Sequence, residues 1–501
     1  MNHLYDALLA PHAGSKRVFL HYADGKQLSY GEFVALVARL AHALSAQGLT
    51  PGDRVALQVP KSAEALALVM AAIQAGYVFL PLNTGYTPAE LDYFVGNSGA
   101  KLLIGAPEDA EALGEVAANG AQLLTLGASG EGSLMEAATG QPDTYPTEPK
   151  AADDIAAFLY TSGTTGRSKG AMLSHDNLLS NAQMLVDFWQ FSADDVLLHA
   201  LPIFHTHGLF VATNVMLLAG GSMIFLPKFD LEAVFAALPK ASSMMGVPTF
   251  YTRLLDDYRL EHEMVEHMRL FISGSAPLLA DTHEAWTART GHKILERYGM
   301  TETNMNTSNP YEGARKPGTV GPALPGVEVK ICDPETGESL ADGETGMIEV
   351  RGPNVFKGYW QMPEKTAAEL REDGFFITGD LGKIDEDGYV VIVGRAKDLI
   401  ISGGYNIYPK EIELVLDAQP GVLESAVIGV PHPDFGESPV GVLVAEAGAE
   451  LDLEAIEAAL GGELARFKQP KALRVIEALP RNTMGKVQKA ALRKDYEGLF
   501  A

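Results

Sequence analysis

At 501 residues the chain exceeds what one ordinary core holds, so two or more domains are expected. Apolar residues make up 47% and charged residues 20%, the balance of a soluble globular protein, and a net charge of −26 argues against broad nucleic-acid or anionic-membrane binding. The single cysteine, Cys332, excludes an internal disulfide framework and a cysteine-based metal site.

The segment opening Met1-Asn2-His3 lacks a basic n-region and a long apolar run, so no signal peptide is read and a cytoplasmic location is expected. Residues 54–59 read as a strand, 62–74 as a helix and 77–80 as a strand. The apolar run 65–82 is broken by Gln74, Gly76 and Pro81, which suits a buried helix and strand and not a membrane span. Residues 102–104 and 122–126 continue the alternation, 127–148 read as loop-rich and acidic, and 196–201 and 222–226 are further strands. This order predicts an α/β fold with parallel, doubly wound sheets and crossover helices. From Gly318 onward, Gly, Pro and Asp punctuate short strands at 327–331, 346–350 and 389–393, which suggests a small β-rich subdomain. A helix over 409–417, a strand over 422–430 and a helix over 453–460 then form a C-terminal α+β domain. Cys332 ends an alternating strand and reads as a buried, inert thiol.

The densest chemistry lies in Tyr160-Thr161-Ser162-Gly163-Thr164-Thr165-Gly166-Arg167-Ser168-Lys169-Gly170. Glycines allow close backbone approach, and the hydroxyls and cations supply donors and charge for a polyphosphate. It is not a Walker A loop, because Ser168 stands where that motif needs glycine before Lys169. His262-Glu263-Met264-Val265-Glu266-His267 imitates a zinc motif, but its histidines are five apart, about 140° around a helix, so it reads as a solvated acidic helix.

The loop resembles the phosphate loop of the acyl-adenylate-forming enzymes, which include acyl-CoA synthetases. Further motifs of that family follow in order: Tyr298-Gly299-Met300-Thr301-Glu302, Thr378-Gly379-Asp380, Gly394-Arg395-Ala396-Lys397-Asp398, Gly403-Gly404-Tyr405-Asn406-Ile407 and Pro480-Arg481-Asn482-Thr483-Met484-Gly485-Lys486. The resemblance implies an N-terminal adenylation domain, 1–396, and a mobile C-terminal lid, 397–501, hinged at Lys397. It implies ATP bound by Thr161, Ser162, Gly163, Thr164, Thr165, Gly166 and Lys169. Gly274, Ser275, Ala276, Tyr298, Gly299 and Thr301 would hold the adenine side, and Asp380 and Arg395 the ribose side. Mg2+ would be held by Glu302 and Thr161. Lys486 would bridge the acid and the α-phosphate, with Thr161 and Glu302 completing the catalytic set. Coenzyme A would meet Gly403, Gly404 and Tyr405. Acylation of Lys486 by a lysine acetyltransferase, reversed by a deacetylase, is a further implication.

His205-Thr206-His207-Gly208, Pro248-Thr249-Phe250-Tyr251-Thr252-Arg253 and Glu302-Thr303-Asn304-Met305-Asn306-Thr307 are similar to the branch of the family that ligates malonate to coenzyme A. A guanidinium facing the acid pocket would favour a second carboxylate, so Arg253 is expected to bind malonate, with His205 and His207 beside it. Other readings are a ligase for another small acid, an adenylation enzyme loading a carrier protein, a nucleotide sensor and a luciferase-like oxygenase.

Overall fold

The structure is a computed structural model that describes residues 1–161, 168–402, 405–482 and 485–500. It contains two compact units, residues 1–328 with 350–376, and residues 329–349 with 377–501. The expected boundary at 396/397 falls within the second unit.

Among the described residues the first unit carries two large sheets. One runs in the order Gln122–Thr125, Leu102–Gly105, Arg54–Gln58, Val78–Pro81, Ile155–Thr161, Lys169–Ser174. Its inner strands are parallel, with Val55 opposite both Phe79 and Leu102. Strands covered on both faces need continuous apolar runs, and Val78–Pro81 and Leu102–Gly105 are buried throughout. The crossover helix Ala63–Gln74 is capped by Ser62, whose side chain accepts from the Ala65 N–H, and all its residues except Glu64 are buried. No helix among the described residues is long and apolar enough to cross a membrane.

The other sheet runs Asn304–Ser308, Leu295–Met300, Leu270–Ser273, Ser243–Gly246, Val196–His199, Ser222–Phe225, Val18–His21, Gln27–Ser29. In both sheets an antiparallel hairpin closes one edge: Ile155–Thr161 with Lys169–Ser174, and Leu295–Met300 with Asn304–Ser308. These hairpins carry the phosphate-loop motif and the Tyr298–Glu302 motif.

Two stretches add detail to the sequence reading. The 127–148 stretch contains a helix, Ser133–Ala138, fixed by reciprocal bonds between Thr125 and Ser133 of 2.9 and 3.0 Å. Six residues are too few to show a helical period in sequence. The acidic helix is a single turn, His262–Val265; His262 Nδ1 lies 2.8 Å from Thr290 O and His267 Nε2 lies 3.2 Å from Leu238 O, so the two imidazoles serve separate carbonyls. Cys332 is fully buried, as expected.

The second unit holds most of a four-stranded sheet, Glu328–Cys332, Gly346–Arg351, Phe376–Ile384, Val390–Arg395, and a five-stranded sheet built on the long hairpin Val422–His432 with Gly436–Ala445. Helices Pro409–Asp417 and Leu453–Glu463 pack Ile412, Leu416, Ile456 and Leu460 against one face of that sheet, through Val427 and Leu443. Leu492 of the Lys489–Tyr496 helix covers Ile428, Val440 and Val442 on the other face.

Candidate active site

Thr161 ends its strand opposite Lys169, so the hairpin pairs the first and ninth residues of the stretch Thr161 to Lys169 that resembles a phosphate loop. Ser162, Gly163, Thr164, Thr165 and Gly166 lie outside the described residues. The Thr161 Oγ1 is buried without a hydrogen-bond partner. Buried hydroxyls are normally satisfied, so this one is open to a ligand. Lys169 Nζ lies 3.5 Å from Glu369 Oε2 and 4.1 Å from the centre of the Tyr359 ring. The Tyr359 hydroxyl in turn lies 2.8 Å from Glu369 Oε2 and 3.0 Å from Glu302 Oε1. One phenolic proton serves one carboxylate at a time, and burial between two anions pushes the Tyr359 pKa far above its ordinary value. Glu302 is buried. The two site residues Lys169 and Glu302, distant in sequence, thus share one network through Tyr359 and Glu369, neither of which sequence reasoning singled out.

The adenine-side candidates lie at the ends of neighbouring strands. Gly274, Ser275 and Ala276 follow Leu270–Ser273, while Tyr298 and Gly299 lie in Leu295–Met300. A Cβ on Gly299 would sit 1.8 Å from Asn304 O, so glycine is what lets this hairpin close. Ser275 takes a left-handed conformation at φ 72, uncommon for a residue with a side chain and frequent at functional turns. A small pocket brings Tyr160, His205 and Thr301 together.

The first unit also has a buried cation that the sequence reading missed. Arg297 lies one residue before Tyr298 and is 3% exposed, with Nε and Nη2 lacking hydrogen-bond partners. Its guanidinium is pressed against Gly274, where an added Cβ would lie 2.4 Å from Cζ. Burial lowers its pKa to about 9, so it remains charged at neutral pH. His207 is buried beside it, with Nδ1 3.2 Å from Ser275 Oγ and Nε2 unpartnered. Burial and then the Arg297 charge keep His207 neutral by pushing its pKa well down. By contrast Arg253 is exposed near the end of the Pro248–Leu255 helix, 6.0 Å from the Phe229 ring centre. The signal that could have exposed Arg297 is its place in an alternating strand: a cation on an otherwise apolar face.

In the second unit Asp380 and Arg395 are paired across adjacent strands, with Arg395 Nε 2.8 Å from Asp380 Oδ1. Lys397 lies in the short turn Ala396–Asp398. Lys486 is exposed on a hairpin where Asn482 N–H donates to Lys486 O at 3.0 Å and Lys486 N–H donates to Asn482 Oδ1 at 3.0 Å. Arg481 paired with Glu424, and Lys489 Nζ 2.5 Å from Glu413 Oε1, pin both stems of that hairpin. Tyr405 begins the short strand Tyr405–Ile407, while Gly403 and Gly404 lie outside the described residues.

The first unit thus carries a hairpin with a phosphate-loop-like motif and a buried carboxylate, and the second a lysine-bearing hairpin, each resembling a motif of the adenylate-forming enzymes. The chain belongs to the AMP-binding enzyme family: that family's model matches residues 10–360, and the AMP-binding enzyme C-terminal domain matches 411–486. The crystal structure of ATP-bound MatB from Rhodopseudomonas palustris is 59% identical, covers 100% of both chains and matches with a TM-score of 0.98. A malonate–CoA ligase from Arabidopsis thaliana is 36% identical over 95% of this chain and 86% of its own length. A feruloyl-CoA synthase from Amycolatopsis is 39% identical over 98% of this chain and 97% of its own.

Proposed function

We propose that this protein joins malonate to coenzyme A at the expense of ATP, through malonyl-AMP, releasing pyrophosphate and then AMP. The observation that carries the malonate reading is Arg297: a buried guanidinium with two open donors, beside neutral His207. An isolated buried charge is costly, and a substrate carboxylate would satisfy it in a fork. The two curated relatives alone do not decide the acid, since the feruloyl-CoA synthase matches as well as the malonate–CoA ligase, while the MatB structure is far more similar to this chain than either. An uncharged acyl group would leave the Arg297 donors desolvated and unanswered.

In this reading Lys169 and the phosphate loop draw in the β- and γ-phosphates, with Lys169 leaving Glu369 for them. Thr161, whose open hydroxyl supports the assignment, and Glu302 would hold Mg2+, which supplies positive charge against the phosphate oxygens. Asp380 accepts from the ribose hydroxyls, Arg395 contacts the nucleotide, and Gly274 to Ala276 with Tyr298, Gly299 and Thr301 flank the base. Lys486 offsets the repulsion between the malonate carboxylate and the α-phosphate during attack. Rotation at Lys397 then exchanges Lys486 for the Gly403–Tyr405 segment beside the pantetheine arm, and the thiol displaces AMP. Arg253 and His205 would line the mouth of the acid pocket. Acetylation of Lys486 would remove its charge and switch off the first step. A cytoplasmic location completes the proposal.

The test is AMP release with acetate, malonate, methylmalonate, succinate, ferulate and octanoate, with and without coenzyme A. Malonate should lead by kcat/KM, and AMP release should need the thiol for turnover. A preference for ferulate or octanoate would overturn the dicarboxylate reading.

A further inference from the structure

The first unit contains a polar chain that none of these roles uses. Lys61 lies between the Arg54–Gln58 strand and the Ala63–Gln74 helix. Its Nζ is 2.9 Å from His199 Nδ1, 2.9 Å from His199 O and 4.3 Å from the centre of the Phe225 ring. His199 ends the Val196–His199 strand, is fully buried, and has Nε2 2.9 Å from the carbonyl oxygen of Gly208. A carbonyl only accepts, so Nε2 carries the ring proton. Burial keeps the ring neutral, which leaves Nδ1 a bare acceptor for Lys61. The tautomer is therefore fixed from both sides.

The far end of this chain adjoins His207, which with Arg297 is proposed above to meet the acid. Gly208 is the second residue of a π-helical segment, His207–Thr213, a wider turn than an α-helix and frequent at functional sites. Its carbonyl also accepts from Thr213 Oγ1 at 2.9 Å. A Cβ on Gly208 would lie 2.0 Å from Pro202 O, so the backbone is tightly seated there. The residue directly before Gly208 is His207, which faces Ser275 and feels the Arg297 charge. An amine and an imidazole enclosed in this way are expensive where apolar side chains of similar size would pack at least as stably.

We propose that Lys61 and His199 are positioning residues for the acid substrate: through the Gly208 carbonyl they hold His207 at the spacing from Arg297 that a small dicarboxylate requires. This inference rests on the malonate reading above and identifies how that pocket is kept in shape. Neither residue touches substrate.

The experiment compares full-length wild type with Lys61→Met, His199→Leu and the double variant, measuring KM for malonate, ATP and coenzyme A together with Tm. Lys61→Met should raise the malonate KM about tenfold and leave the other two KM values within about twofold, with Tm unchanged or higher because the cost of desolvating the amine is gone. His199→Leu should match it. The double variant should be no worse than either alone, since both act through one relay. His199→Gln, which keeps a donor toward the Gly208 carbonyl and an acceptor toward Lys61, should stay near wild type, and decides the matter should the Met variant not fold. An unchanged malonate KM in Lys61→Met, an equal loss for all three substrates, additive effects, or His199→Gln as impaired as His199→Leu would each overturn the relay. Wild type that fails to use malonate sinks the malonate reading itself, a different result from wild type that uses malonate while the variants match it.

Discussion

Arg395 Nε lies 2.8 Å from Asp380 Oδ1, and the two residues are direct partners in adjacent antiparallel strands. The pair is set by strand register and not by flexible side chains meeting by chance. Asp380 is buried while Arg395 is half-exposed, so the arginine holds the carboxylate aimed from its edge. Asp380 N–H also donates to Thr378 Oγ1 at 3.0 Å, which fixes the backbone of the strand where its pairing with Arg395 begins.

Asp380→Ala should therefore weaken ATP and spare malonate. A hydrogen bond to a charged group is worth about 1.5–3 kcal/mol, so the ATP KM should rise roughly ten- to two-hundred-fold. The measurement is the initial rate of adenylation against ATP at saturating malonate. A KM change shared equally by ATP and malonate would contradict the ribose assignment.

Lys486→Ala should separate the two half-reactions. Malonyl-AMP formation should fall by at least about a hundredfold, the scale of one lost electrostatic contact in a transition state. Thioester formation from supplied malonyl-AMP should persist, because no phosphate repulsion remains to be offset. The hairpin carrying Lys486 is held by Arg481–Glu424 and Lys489–Glu413, neither of which uses the Lys486 side chain, so the variant should fold normally. Equal loss in both halves would refute the division of labour.

The order of strands and helices was readable because doubly covered parallel strands must be apolar throughout, as in Val78–Pro81 and Leu102–Gly105. The site's motifs were readable because hairpins keep their parts adjacent in sequence. What was not readable was long-range. Glu369 meets Lys169 across 200 positions and Tyr359 meets Glu302 across 57, and nothing local marks either partner. Arg253 drew attention because its segment resembles the one that lines the acid pocket in the family. On the folded helix Tyr251 and Leu254 take the buried face, three residues apart, which leaves Thr252 and Arg253 outward.

Acid stability should depend on two buried histidines. His283 has neither ring nitrogen hydrogen-bonded, and burial lowers its pKa to about 4; His175 is lowered to about 4 for the same main reason. The folded state refuses a proton that the unfolded chain accepts near 6.5. Stability is therefore fully present above about pH 6.5 and is lost as pH falls from there to about 4, by a few kcal/mol at most per residue. His283→Leu removes a titrating group without breaking a hydrogen bond. Its Tm should match wild type at pH 7 and fall less steeply between pH 6.5 and 4.5; parallel Tm curves would show that His283 does not titrate on unfolding.

Two arginines compete for the malonate role, and their burial predicts different outcomes. Arg297→Ala removes an enclosed guanidinium whose donors are open, so the second malonate carboxylate would be left desolvated without a partner. The malonate kcat/KM should fall roughly ten- to two-hundred-fold or more, while acetate, which lacks that carboxylate, should be used as well as before or better. Arg253 is exposed, where an ion pair is worth about 0–1 kcal/mol, so Arg253→Ala should cost malonate no more than about fivefold. Arg297→Lys sharpens the comparison: it keeps a charge but loses the planar fork, and it should recover only part of the malonate activity. Steady-state rates for malonate and acetate in the three variants measure this directly. If Arg253→Ala loses more malonate activity than Arg297→Ala, the second carboxylate is read at the pocket mouth, and the buried guanidinium has another task.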